Sequence, residues 1–292
     1  MKPAPFRYVR PATLSEACAA LAADEDARII AGGQTLVPML AMRLARPTTL
    51  VDISRLPGLS GIAREEDALV IGATTRQVLA ERSALVASDL PLLAAALPWV
   101  GHPPTRNRGT VGGSCANADP SAEIPLVAVT LEAEMVIEDE GGPMPMPADD
   151  FFIGPMLTSV PPTGILTAVR FPVWDDARVG VAFHEISARK SDFAFVSAAA
   201  QVAIDEEGRC VKLALGIGGV GDRPVKLDVS RLVGTQLDAA AVADAVREAT
   251  SVLEATSDLH ASADYRRRVA SVLGARAVSD ALADAQVKGS GR

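Results

Sequence analysis

A pair of adjacent glycines constrains residues 101–125 more than any other feature of the sequence. Residues 110–114 (TVGGS) follow two basic residues, Arg106 and Arg108. Glycine lets the backbone approach a ligand closely and adopts positive φ without strain. Consecutive free N–H groups in such a turn form a concave anion site. Because Gly, Asn, Asp and Ser are also the usual residues of surface turns, this segment alone favours an ordinary polar loop.

A second glycine pair, Gly32 and Gly33, lies between a predicted buried strand at 28–31 and a predicted helix at 36–44. A strand, a glycine turn and a helix in this order place phosphate at free backbone N–H groups near the start of the helix. The spacing fits neither the GxGxxG dinucleotide motif nor the Walker P-loop. Two glycine loops with hydroxyl neighbours would suit one pyrophosphate held from both sides.

Together the two segments resemble the FAD-binding medium subunit of molybdenum hydroxylases of the carbon monoxide dehydrogenase and xanthine dehydrogenase type. The first match is 31–38 (AGGQTLVP) with 43–47 and 50–53, and the second is 106–114 (RNRGTVGGS) with Asp119-Pro120. Both motifs are specific when they occur in this order and at this separation. The resemblance implies noncovalent FAD, with cofactor contacts from Ala31, Gly32, Gly33, Gln34, Thr35, Leu36, His102, Thr110, Gly112, Gly113, Ser114, Asn117 and Glu123.

The second half of the chain resembles the same family more weakly. Residues 183–194, which include Glu185, are similar to the stretch that reaches toward the flavin ring, and this places Asp192 and Phe193 at the cofactor. For Phe193, a ring beside the isoalloxazine and an ordinary core aromatic are equally good interpretations. The carbon monoxide dehydrogenase type has a tyrosine near this position, so the hydroxyl is absent here and the stacking face is retained.

For several other candidate residues the sequence allows both a functional and a structural role. Asp119 and Glu123 could form an acid–base pair, but in this family context one carboxylate, preferably that of Glu123, would bind ribityl or ribose hydroxyls. Arg106 and Arg108 either offset pyrophosphate charge or are solvated loop arginines. Ser114 lacks the GxSxG context of a nucleophile, and the three histidines have no metal-binding spacing.

The resemblance implies an α+β fold. Two α/β subdomains clasp FAD in the PCMH-like FAD-binding arrangement, and an α+β C-terminal domain follows. The predicted division is 1–56 for the N-terminal FAD-binding subdomain, 57–175 for the second, 176–287 for the C-terminal domain and 288–292 for a disordered tail. A change in composition near residues 174–176 (WDD) supports the boundary between the last two domains.

Local signals predict several elements. Residues 13–16 (TLSE) form a capping box for the first helix, and residues 74–75 (TT) are expected to cap a later one. A further helix is expected to start at Ser88-Asp89 with Pro91 and to end at Pro98. The run 144–147 (MPMP) is too rich in proline for a central strand, and periodicity alone allows helix or strand at 125–131.

Composition argues against several classes of function. The chain of 292 residues has a formal net charge of −8 and 4% aromatic residues, which disfavours nucleic-acid binding. The N-terminus contains no signal-peptide apolar region, and no run of about 20 apolar residues predicts a transmembrane helix. The three cysteines, Cys18, Cys115 and Cys210, cannot form a disulfide framework or hold an iron–sulfur cluster. We therefore expect a reducing, cytoplasmic setting.

The predicted function is that of an FAD-binding electron-transfer subunit. The resemblance implies a large partner subunit that carries the molybdenum cofactor and oxidises the substrate, and a small partner subunit whose [2Fe-2S] clusters relay electrons to FAD. It implies a dimer of heterotrimers, in which this chain passes electrons to a terminal acceptor. Two alternatives stay open: a stand-alone flavin or nicotinamide oxidoreductase, and a non-catalytic scaffold whose glycine loops are only turns.

Overall fold

Three clusters of buried apolar side chains organise residues 2–176 and 178–289, which are the residues described by this computed structural model. The smallest cluster belongs to an N-terminal unit with a parallel three-stranded sheet in the order β1-β3-β2. The central strand of this sheet is the most buried, with Val51 at its centre. The elements of this unit are β1 (Arg7–Val9), α1 (Leu14–Ala22), β2 (Arg28–Ile30), α2 (Leu36–Ala41) and β3 (Thr49–Asp52).

The capping signal of the first helix is confirmed. The Thr13 side chain accepts a hydrogen bond from the Glu16 N–H at 3.2 Å, and the Glu16 carboxylate accepts one from the Ala12 N–H at 2.8 Å. Helix α2 is shorter than predicted, because Arg43 adopts a left-handed backbone conformation with φ of 58° soon after the helix ends. The N-terminal unit therefore has the order β-α-β-α-β, with a second helix shorter than predicted.

A second unit is built on an antiparallel sheet in the order β4-β5-β10-β6-β7, covered by short helices that share the largest apolar cluster. Its proline-rich strand lies at the edge of the sheet, where missing N–H donors are tolerated. A 3₁₀ turn at Leu97–Trp99 follows α5. The elements are β4 (Ile62–Glu65), β5 (Ala68–Gly72), α3 (Gln77–Glu81), α4 (Ala84–Asp89), α5 (Pro91–Ala96), α6 (Pro103–Arg108), α7 (Val111–Asn117), α8 (Glu123–Thr130), β6 (Glu134–Asp139), β7 (Gly142–Pro147), α9 (Ala148–Phe151), β8 (Phe152–Gly154), β9 (Leu157–Thr158) and β10 (Ile165–Pro172).

In this unit the predicted cap at Thr74-Thr75 is wrong, and the helix predicted from Ser88-Asp89 with Pro91 starts only at Pro91. The hydroxyls of Thr74 and Thr75 donate to the carbonyls of Leu59 and Gly61, at 2.8 and 3.0 Å, so they tie β5 to the preceding loop instead of capping α3. Ser88-Asp89 ends α4, and the next helix begins at Pro91, whose fixed φ suits the first helical position.

The C-terminal unit is an antiparallel sheet in the order β11-β12-β13-β14. Helices α10 and α11 cover one face, and α8 of the second unit covers the other. Strand β12 is buried at every position except Phe195, because both faces are covered. The elements are β11 (Val179–Ser187), β12 (Ala194–Ile204), β13 (Cys210–Gly218), β14 (Val225–Lys226), α10 (Ala239–Ser251) and α11 (Ala263–Gly289), with a 3₁₀ turn at Ser230–Leu232.

Part of the predicted tail is helical. Helix α11 continues to Gly289, and the Lys288 ammonium donates to the Asp284 carboxylate at 2.7 Å and to the Val179 carbonyl at 3.1 Å. These bonds anchor the last turn to β11, so the prediction of disorder at 288 and 289 is wrong. The predicted tail residues 290–292 lie outside the described residues.

The close approach of α11 to β11 leads to a prediction about Gly180. A Cβ on Gly180 would collide with the Ala281 carbonyl oxygen and would lie 2.9 Å from the Ala285 Cα. Because both are backbone atoms of a helix, Gly180→Ala must displace α11, and we expect it to lower the free energy of unfolding by about 1–3 kcal/mol. Urea unfolding would measure the change. Gly154→Ala, with no atom within 4 Å of its added Cβ, is the control. Equal stability of the two variants would contradict this packing.

Candidate cofactor site

The first glycine turn lies directly against the connection between α6 and α7. A Cβ added to Gly32 would lie 2.6 Å from the Arg108 carbonyl oxygen and 2.9 Å from the Gly109 Cα. Gly33, the next residue, has φ of +72°, a conformation that residues with a Cβ rarely adopt. The two glycine-containing segments of the sequence therefore contact each other through their backbones, and only glycine allows this approach.

Free hydrogen-bond donors line this turn. Val37 donates to the Gly33 carbonyl at 2.9 Å, whereas the backbone N–H groups of residues 32–36 donate to no acceptor among the described residues. Thr35 precedes α2 without a side-chain capping bond, and Leu36 is the first helical residue. A turn with several unsatisfied N–H groups fits an anionic group such as a pyrophosphate.

The second glycine pair does not lie in a loop. Gly112 and Gly113 lie in the first turn of α7, which Thr110 caps by accepting from the Gly113 N–H at 3.0 Å. The N–H groups of Val111 and Gly112 donate to the carbonyls of Thr75 and Ala73, at 3.0 and 2.9 Å. The expectation of a polar loop with free N–H groups is therefore wrong here, because the threonine cap and the carbonyls of the turn after β5 satisfy these donors.

Packing explains the requirement for glycine at these two positions. A Cβ on Gly112 would lie 2.6 Å from the Ala73 Cα and 2.8 Å from its carbonyl oxygen, and one on Gly113 would lie 2.5 Å from the Thr110 Oγ1. Both glycines let α7 approach β5 and its own cap. They fix the position of the Arg108–Gly109 backbone that contacts the first turn.

Of the two arginines named from the sequence, only Arg108 remains available for a ligand. Arg106 is buried, pairs with Glu81 through bonds of 2.8 and 3.1 Å, and donates to two main-chain carbonyls. Arg76, which sequence reasoning missed, donates to the Arg108 carbonyl. Burial and the charge of Arg108 lower the pKa of Arg76. In the described part of the chain, neither Arg76 nor Arg108 forms an ion pair with a carboxylate, so positive charge accumulates beside the turn.

The other predicted residues of these segments have separate surroundings. Ala31 lies between β2 and the glycine turn. The Gln34 amide donates to the Gly32 carbonyl at 3.3 Å. His102 precedes α6 and is exposed. Ser114 lies in α7, and the Asn117 amide at the end of that helix contacts the Met156 sulfur at 3.4 Å.

Asp192 and Phe193 lie on the connection between β11 and β12. Asp192 accepts from the Arg189 guanidinium at 3.2 Å, and the Phe193 side chain is 69% exposed, so it is not a core aromatic. Two preceding residues, Lys190 and Ser191, line a cavity of about 290 Å³ with Pro98 and Trp99. This connection therefore lies beside the segment that leads to His102.

Two buried carboxyl groups lie where α8 packs on the C-terminal sheet. Burial raises the pKa of Glu123, the first residue of α8, to about 7. Burial, and then the charge of Glu123, raises the pKa of Glu185 on β11 to about 8. Both Glu185 carboxyl oxygens are buried, and neither has a hydrogen-bond partner among the described residues. Sequence reasoning noted Glu185 only within a family stretch. The sequence does contain a signal for this residue. Side chains alternate between the two faces of a strand, so Glu185 lies on the same face as the inward-facing Phe183, and a charged residue there is unusual.

Comparison with known proteins identifies the family. The family model described as the FAD binding domain in molybdopterin dehydrogenase matches residues 4–174, and the one described as the CO dehydrogenase flavoprotein C-terminal domain matches residues 181–281. The chain belongs to the family of FAD-binding subunits of molybdenum hydroxylases. This is the family that the two glycine motifs resemble, so that prediction is confirmed.

Individual relatives cover almost the whole chain. It is 35% identical to the 6-hydroxypseudooxynicotine dehydrogenase complex subunit alpha of Paenarthrobacter nicotinovorans, over 97% of this chain and 96% of that one. It is also 35% identical to the carbon monoxide dehydrogenase medium chain of Afipia carboxidovorans, over 98% and 100%. The crystal structure of quinoline 2-oxidoreductase from Pseudomonas putida 86 matches with a TM-score of 0.92 and 37% identity, over 98% and 99%. The fold predicted for the family is therefore confirmed.

Two negative findings apply to the described residues. No helix among them is long and apolar enough to cross a membrane. Likewise, within 2–176 and 178–289, no group of three or more His, Cys, Asp or Glu side chains is arranged to hold a metal ion.

The first turn yields a prediction about cofactor affinity. In Gly32→Ala the added Cβ must push against the Arg108 carbonyl, so the two segments separate. We expect FAD binding to weaken by about 1–3 kcal/mol, the usual cost of overpacking, with the secondary structure retained. Fluorescence titration of flavin-free protein would measure this change. Gly141→Ala, whose Cβ would meet only the Asp139 carboxylate, is the control. An unchanged affinity for Gly32→Ala would show that the contact does not shape the site.

The two buried carboxyls yield a prediction about pH. Unfolded glutamate ionises near pH 4.3, whereas the folded pKa values are about 7 for Glu123 and about 8 for Glu185. Between these limits the folded chain binds more protons than the unfolded chain, so its stability falls as pH rises. We expect the free energy of unfolding of the flavin-free chain to decrease from pH 5 to pH 8, and to decrease less in Glu185→Gln. Urea unfolding at several pH values would measure both. The exposed control Glu140→Gln should retain the wild-type slope, and the prediction fails if Glu185→Gln retains it too.

Proposed function

We propose that this chain holds FAD at the contact between the Gly32–Leu36 turn and the Arg108–Gly109 backbone. It acts there as the FAD-binding electron-transfer subunit of a molybdenum hydroxylase. One observation carries the proposal: the turn at residues 32–36 has unsatisfied N–H groups, and it contacts the Arg108–Gly109 backbone so closely that only glycine fits at position 32. Membership of the family supports the same cofactor.

The cofactor contacts divide by chemistry. The N–H groups of residues 32–36 would hold the pyrophosphate, with Ala31 and Gln34 shaping the turn and Arg108 and Arg76 offsetting charge. Thr110, Gly112 and Gly113 would act mainly by fixing α7. Ser114, Asn117 and Glu123 would offer polar groups to the hydroxyl-bearing parts of FAD. His102, Asp192 and Phe193 would lie at the flavin ring, where the exposed phenyl face of Phe193 is suited to stacking.

The chemistry of electron transfer belongs to the cofactor. Bound flavin accepts electrons one at a time and releases them singly or in pairs. The chain's own residues would bind and orient the cofactor. We therefore assign no substrate-oxidising residue to this chain.

Partners follow from the family. Relatives are named as subunits or medium chains of larger enzymes, such as the carbon monoxide dehydrogenase medium chain and the nicotine 6-hydroxylase medium subunit. We propose a large subunit with the molybdenum cofactor, a small subunit with [2Fe-2S] clusters, and assembly as a dimer of heterotrimers. These names favour a subunit over a stand-alone flavin oxidoreductase.

Two further assignments are part of the proposal. The division into FAD-binding residues 1–56 and 57–175 and C-terminal residues 176–287 agrees with the three apolar clusters, although α8 joins the last two units. A cytoplasmic location is supported by three buried cysteines with free thiols. Relatives of similar identity are named for a nicotine derivative, carbon monoxide and quinoline, so resemblance does not choose a substrate.

The isolated chain and its complex should differ in activity. We expect the purified chain to carry extractable, noncovalent FAD and to show no dye reduction with heteroaromatic, aldehyde or carbon monoxide substrates, because it lacks the substrate-oxidising centre. The complex purified from the native source should reduce the dye. Absorption spectra and parallel dye assays would test this. Substrate-dependent dye reduction by the metal-free chain would favour a stand-alone flavoenzyme, and a colourless complex without FAD would refute the cofactor assignment.

A further inference from the structure

Unsatisfied polar groups cluster on the sheet face that α8 covers. Glu185 on β11 lies directly opposite Ser197 on β12, and Ser197 lies opposite Gly218 on β13. Residues opposite one another in an antiparallel sheet project to the same face. A Cβ on Gly218 would lie 2.7 Å from the Ser197 Oγ and 3.3 Å from the Leu126 side chain of α8. The Glu185 and Ser197 side chains are therefore directed toward α8.

These groups lack the partners that buried polar atoms normally have. Ser197 is 0% exposed, and its Oγ has no hydrogen-bond partner in the part of the chain that the structure describes. Within the same residues both Glu185 carboxyl oxygens are also buried and unpaired, although the residue as a whole is half-buried. Leaving a buried acceptor unpaired costs more than a typical hydrogen bond contributes. We infer that donors from outside the chain complete this cluster.

The surrounding charges limit what those donors are. Glu123 faces Glu185 from α8, and Arg106 of α6 attracts Glu123. Asp119 lies before α8 and is half-buried. His184 projects to the opposite face, where it contacts Asp280 of α11 at 2.8 Å. Because several carboxyls meet here, a phosphate is excluded from this end of the site. Neutral hydroxyl groups, which donate to carboxylates, fit the arrangement.

We propose that Glu185 and Ser197, with Glu123, form a buried pocket for hydroxyl groups of FAD, and that binding expels a proton from the carboxyl pair to solvent. The proposal rests on the proposed function, since it requires FAD. No bond of the cofactor changes: hydroxyl groups donate hydrogen bonds to the carboxylate oxygens, which favours their ionised form. The O–H proton of the carboxyl group passes to buffer.

The sign of the pH effect follows from this exchange. In the flavin-free chain Glu185 has a pKa raised to about 8 by burial and then by the charge of Glu123, so it holds a proton at neutral pH. A ligand that prefers the ionised form binds more tightly as pH rises, and the change for one proton is at most tenfold per pH unit. FAD affinity should therefore increase by about tenfold or more between pH 6 and pH 8.

Calorimetric titration of FAD into the flavin-free full chain tests the proposal. In two buffers of different ionisation enthalpy at pH 7, wild-type protein should release close to one proton per FAD bound. Glu185→Gln should still bind FAD but lose most of the proton release and of the pH dependence. Glu140→Gln, which removes a carboxyl from the exposed turn between β6 and β7, should match wild type.

The outcomes separate the two proposals. If wild-type protein does not bind FAD, the proposed function fails. If it binds FAD without releasing protons, or if Glu185→Gln releases as many protons as wild type, only the pocket is refuted. Circular dichroism would show whether Glu185→Gln is folded. If it is not, Ser197→Ala carries the test: a loss of FAD affinity of about fivefold, the value of one hydrogen bond, supports the pocket, and unchanged affinity overturns it.

Discussion

The cofactor site depends on a contact between two stretches of backbone. At Gly32 the chain passes so close to Arg108 and Gly109 that no side chain fits between them. This proximity places free N–H donors of one subdomain beside the cationic surface of the next. It also links the three-stranded parallel sheet to the antiparallel sheet at the point where the proposed pyrophosphate lies. The geometry of the proposed binding site is thus set by packing between the first two units rather than by a single contiguous motif.

The rest of the second unit holds that contact in place. Helix α7 is fixed by its threonine cap, by main-chain bonds to Ala73 and Thr75, and by the absence of side chains at Gly112 and Gly113. Arg106 secures the preceding helix through Glu81. A residue that a sequence motif marks as ligand-binding can therefore contribute by positioning backbone rather than by touching the ligand.

Local signals predicted much of the fold. The capping box at Thr13 depends on neighbours within a few residues, and it forms as expected. Thr74 and Thr75 have residue types that also cap helices, but they bond to carbonyls of the loop that precedes β4, which no local pattern reveals. The family resemblance located the glycine segments. It did not distinguish the free turn at Gly33 from the capped helix at Gly113, and it did not identify Arg76 or Ser197, whose surroundings depend on strand register and helix packing.

Helix α8 has a consequence for how this protein can be rearranged. Every residue of the helix after Glu123 is buried, since one side faces the second unit and the other meets β12 and β13 of the C-terminal sheet. The side chain of Thr130 occupies the space beside Gly216, where a Cβ would collide with it. A chimera that exchanges the C-terminal sheet at the 176 boundary would therefore place a foreign strand against this helix. A chimera between relatives that is to stay folded must therefore exchange α8 together with the sheet it covers. The exchanged segment is larger than the boundary at residue 176 indicates.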